Sequence, residues 1–98
     1  MTDRMPNRPD ALADLTAAER LDLATAARAA VLVVAEQLAV GSALDLAALA
    51  AAVEDRALAA YVDGRIAGLC HDGALELFRD AADGEALAVC MARLRQTA

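Results

Sequence analysis

The chain has 98 residues, enough for one domain and too few for a second core, and its 59% hydrophobic content overstates that core because 28 residues are Ala and Trp is absent. A formal net charge of −6, with every basic residue an Arg, argues against a nucleic-acid backbone as partner, because phosphate binding needs clustered cations. No segment reaches the ~20 consecutive apolar residues of a membrane span, and Met1–Asp10 has no apolar stretch like a signal peptide's, so the cytoplasm is the expected compartment.

Residues 1–10 hold both prolines, Pro6 and Pro9, among charges and without periodicity; they read as a flexible arm before a helical domain over 11–98. Leu12 and Leu15 begin to dock. Thr16-Ala17-Ala18-Glu19 then has the form of a capping box, in which hydroxyl and carboxylate satisfy two free amides reciprocally. The helix it starts is expected to run to about Val40. Leu23, Ala27, Ala30, Val34 and Leu38 trace one face, while Leu21, Ala24, Val31 and Leu32 trace another. Apolar surface on more than one side predicts a helix with several neighbours.

Gly41-Ser42 ends that helix, and Ser42 is the expected cap of a second helix running to about Val62. Its main stripe is Leu46, Leu49, Ala50, Val53, Ala57, Ala60 and Tyr61. Three Asp-Gly dipeptides follow at Asp63-Gly64, Asp72-Gly73 and Asp83-Gly84. Such a pair between strands signals a hairpin, yet as a strand Arg65 would share a face with Ala67 and Leu69, and Gly68 would break the other. Helical spacing instead aligns Ile66, Leu69, Cys70, Gly73, Ala74, Leu77, Phe78 and Ala81. Asp63 is therefore the expected cap of a third helix over about Gly64–Ala82, with Cys70 in its buried stripe and Gly73 at a close helix crossing. Asp83 caps a fourth, about Gly84–Gln96, striped by Leu87, Cys90, Met91 and Leu94.

The fold expected is all-α, a small four-helix bundle with antiparallel neighbours. Only 28 side chains are large and apolar, counting Leu, Val, Ile, Met, Phe and Tyr. Burying each contributes roughly 1.5–3 kcal/mol against an ordering cost of about 1–2 kcal/mol per residue, so pairing with a second copy is expected. Abundant Ala with Arg as the sole cation matches the usage of a GC-rich bacterial genome.

Reactive groups are few, with one His, one Tyr and no Lys. Cys70 and Cys90, in a chain expected to be intracellular, read as reduced and buried rather than as a disulfide. Cys70, His71 and Cys90 are also the candidate ligands of a metal or small molecule, although adjacent helical residues point about 100° apart and cannot easily grip one ion. Asp72, Glu76 and Asp80 form an acidic arc, relieved by Arg79. Arg65 followed six residues later by His71 resembles the active-site motif of HEPN-type ribonucleases, small all-α proteins that pair as dimers; that resemblance implies RNA cleavage at Arg65 and His71. No cofactor is implied. The function expected from elimination is a helical accessory or regulatory protein that binds itself and another protein. Gly68, Asp72, Leu75, Glu76 and Arg79 are its candidate contact surface, and the metal- or ligand-binding bundle is the alternative.

Overall fold

The computed structural model describes residues 15–38 and 45–97; the expected arm over 1–10, Leu12 and the expected cap Ser42 lie outside the described residues. Within them are three helices and no strand: α1 (Ala17–Gln37), α2 (Leu46–Ile66) and α3 (His71–Thr97).

The capping box at Thr16 forms as read. Thr16 Oγ1 accepts from the Glu19 amide at 3.0 Å, and Glu19 Oε1 accepts from the Thr16 amide at 2.9 Å. For α2 the cap is Asp45, whose Oδ1 accepts from the Ala48 amide at 3.2 Å.

The expected third and fourth helices are corrected. Asp63 does not start a helix, because α2 runs through Asp63-Gly64 to Ile66. Gly64 is buried where α2 meets α3, and a Cβ built on it would lie 3.3 Å from the Ala74 Cα and 3.0 Å from Leu77 Cδ1. The close crossing expected at Gly73 is thus at Gly64, whose missing side chain lets the two backbones approach.

What stops α2 is Gly68, at φ 102°. The Gly68 amide bonds to the Arg65 carbonyl and the Leu69 amide to the Gly64 carbonyl, each at 3.0 Å, the paired bonds of a Schellman ending. A left-handed residue there costs glycine nothing, which accounts for the one glycine that helical periodicity leaves unexplained. The Cys70 carbonyl then accepts from the Ala74 amide at 2.9 Å and opens α3.

Asp83-Gly84 does not break α3, which is continuous over 27 residues. One glycine costs about 1 kcal/mol relative to Ala inside a helix. Ala82, Ala86, Val89 and Cys90 on either side are buried against the other helices and outweigh that cost. Among the described residues three helices therefore replace the expected four.

The core is built from Leu23, Ala27, Val31 and Val34 of α1, Leu49, Val53, Ala57 and Tyr61 of α2, and Ala74, Leu75, Phe78, Ala82 and Cys90 of α3. Each helix packs on the other two. Gly64 of α2 meets Ala74 of α3, while Leu49 and Ala52 share a groove with Ala92 and Gln96, so α2 and α3 run antiparallel. Ala26 and Val33 of α1 flank Arg79 and Asp83, so α1 runs with α3. Arg56 and Glu85 link α2 to α3 at 3.6 Å on the exposed side.

The shifted register moves several side chains. Cys70, Ile66, Leu69 and Leu77 are exposed rather than in a buried stripe, while Ala74 and Phe78 of the same expected stripe are buried. Leu75, expected on a contact surface, is in the core because the inward face of α3 centres on Phe78 and Ala82.

Candidate functional site

Three polar side chains, one from each helix, meet at the end of the bundle where α2 turns into α3. Tyr61, in the last turns of α2, is fully buried and points its hydroxyl at His71. His71 is the first residue of α3, and its imidazole lies edge-on to the Tyr61 ring with centroids 5.6 Å apart. Tyr61 Oη and His71 Nδ1 are 2.9 Å apart, and His71 Nε2 and Asp22 Oδ2 of α1 are also 2.9 Å apart.

The donor and acceptor roles follow from the chemistry of the partners. An ionised carboxylate only accepts, so Nε2 carries the proton that reaches Asp22. Nδ1 and the Tyr61 hydroxyl share the second bond, and every polar group at the junction is satisfied. No buried side-chain nitrogen or oxygen among the described residues lacks a partner.

Electrostatics at this junction agree. Burial raises the Tyr61 phenol above its ordinary value, the Glu19 and Asp22 carboxylates add to the rise, and Arg65 opposes it. Glu19 is held below the usual carboxylate range, first by the Thr16 amide, with His71 and Arg65 adding to the effect. Arg65 and His71 therefore do converge, but on the Tyr61 hydroxyl. Both imidazole nitrogens are hydrogen-bonded and the phenol is buried, so the three side chains join the three helices at this end of the bundle.

The metal candidates are dispersed. Cys70 is exposed in the α2–α3 turn and Cys90 is buried in α3. Twenty residues apart, mostly along one helix rising 1.5 Å per residue, they are separated by about 30 Å. No group of three His, Cys, Asp or Glu among the described residues is placed to hold one ion. Cys90 is an inert core thiol, its ionisation pushed up by burial.

Of the expected contact surface, Gly68 is a helix terminator and Leu75 is core, while Asp72, Glu76 and Arg79 are exposed on α3. Glu76 and Arg79 pair with each other at 3.0 Å.

A different surface stands out. Opposite its buried side, α1 carries Leu21, Leu32 and Val33, which are 65%, 45% and 53% exposed, together with Ala18, Thr25 and Ala29. Polar residues share this outer face, among them Thr25, Arg28 and Glu36, so its apolar side chains stand between charges. The core face of α1 is covered by α2 and α3, whereas the outer face meets solvent. Beside it, Ala26, Ala29, Ala30 and Val33 form one wall of a shallow groove of about 350 Å³, with Arg79 and Asp83 opposite. The sequence does mark Leu21 and Leu32 as a second apolar face; among the described residues no helix covers them.

No helix among the described residues is long and apolar enough to cross a membrane. No protein family matches the chain, and neither a curated protein nor a solved structure does so.

Proposed function

We propose that this chain is an association module, a helical accessory or regulatory protein that works as a homodimer through helix-to-helix contact rather than by catalysis. The observation that carries the reading is the outer face of α1, where Leu21, Leu32 and Val33 stand in solvent on a helix whose other side is fully packed. Covering that face would return each side chain the transfer free energy it forgoes in a lone bundle, roughly 1.5–3 kcal/mol for complete burial. An Ala-rich surface lets helix backbones approach closely, and the net charge of −6 makes another protein a better partner than a nucleic acid. The same reading puts the chain in the cytoplasm, with Cys70 and Cys90 as thiols.

Sedimentation equilibrium at micromolar concentration tests this. A dimer mass that falls on dilution is expected. A folded monomer across the whole range would refute it.

A further inference from the structure

Resting on the association reading, we infer that the partner on α1 is a second copy of the chain, packed antiparallel about a two-fold axis at Leu32, with Arg28 of each copy against Glu36 of the other.

Arg28, Leu32 and Glu36 are spaced four apart and form one ridge along the outer side of α1, all three exposed. Read along the helix, the ridge is positive, apolar, negative. Reversed by a two-fold through its centre, it becomes its own complement, as an interface between identical surfaces requires. Leu32 meets Leu32, and both ends bring opposite charges together. A parallel pairing would instead set Arg28 on Arg28. Neither Arg28 nor Glu36 forms an ion pair with a described residue of its own chain.

Shape agrees with charge. The neighbouring ridge of α1 is Thr25, Ala29 and Val33, so the groove between the ridges is floored by a small residue at its midpoint. Ridges at this spacing interdigitate when helices cross near −50°, the commonest class of helix packing. The exposed strip on α3 lacks this symmetry. Leu77, Leu87 and Met91 are spread along α3, with Glu76, Arg79, Asp80 and Asp83 near them, and none of the three stands midway between one positive and one negative neighbour at i±4.

Arg28→Glu and Glu36→Arg test the inference, since both positions are exposed and neither substitution disturbs the core. Each variant alone places like charges at both ends of the ridge. Roughly tenfold or more weaker self-association is expected for each, with circular dichroism unchanged. An equimolar mixture of the two restores both charge pairs, so native mass spectrometry should show the mixed dimer in excess over either self-dimer. Wild-type association should also weaken as salt is raised.

If the wild type dimerises but the charge variants behave as it does, or the mixture does not recover, this interface is overturned while the association reading stands. Dissociation by Leu87→Asp alone would overturn it in favour of α3. A wild-type monomer would remove both.

Discussion

Replacing Gly84 by Ala should stabilise the protein, and the sign of the change is the informative part. Gly84 lies inside α3, its φ is not left-handed, and a Cβ built on it meets nothing within 4 Å. The substitution therefore adds a methyl group to open space and removes the backbone entropy that glycine loses on becoming helical. Host–guest scales put this at about 0.8–1.0 kcal/mol. For a domain of this size that is a rise in melting temperature of roughly 4–8 °C. Thermal unfolding followed by far-ultraviolet circular dichroism, at one fixed protein concentration because association shifts the midpoint, measures it directly. The opposite sign is expected at Gly68, where φ is 102° and Ala would be strained by about 1–2 kcal/mol. If Gly84→Ala lowers the midpoint, Gly84 occupies a turn. α3 is then two helices and the packing described above is wrong.

Tyr61→Phe removes the hydroxyl bonded to His71 Nδ1 and leaves a partly buried imidazole nitrogen unpaired, a loss of about 1–3 kcal/mol in urea unfolding; an unchanged midpoint would mean the junction does not tie the helices. Thr16→Ala should cost about 1 kcal/mol through loss of the hydroxyl half of the capping box. The Glu19 half of that cap depends on pH: because its folded ionisation is depressed, its contribution is complete above the ordinary carboxylate range and disappears as pH falls through the lowered value. Glu19→Ala, which removes the carboxylate that accepts from the Thr16 amide, should therefore differ less from wild type in acid than at neutral pH, and an acid-independent difference would argue against that half of the cap. Thiol labelling of the native protein should modify Cys70 quickly and Cys90 only on unfolding, with mass mapping after digestion as the readout; equal rates would contradict the placement of Cys90 in the core.

Local chemistry was legible in the chain, and tertiary chemistry was not. The capping box at Thr16 needs only residues within four positions, and it forms as read. The inward stripes of α1 and α2 also survive, because helical periodicity reports burial wherever a helix is continuous. The Asp-Gly pairs mislead because each carries a local signal for a break while the deciding force is distant. At Gly64 it is the approach of Ala74, and at Gly84 it is the buried alanines on either side. Gly68, which has no Asp before it, is the true terminator, recognisable only by its φ and its two reversed bonds. That displacement of the turn explains why Cys70 is outside the core and Leu75 inside it. The junction of Asp22, Tyr61 and His71 was out of reach for another reason. Asp22 and His71 are 49 residues apart, and no spacing rule links a carboxylate on one helix to an imidazole starting another.

The seating of Tyr61 has a practical consequence. It is the sole tyrosine in a chain without tryptophan, so intrinsic ultraviolet fluorescence comes from one ring at the point where three helices meet. A phenol hydrogen-bonded to an imidazole emits weakly, and it brightens when that bond is released. The molecule thus carries its own lamp at its joint, able to distinguish a hinge opening at one end from melting of the whole.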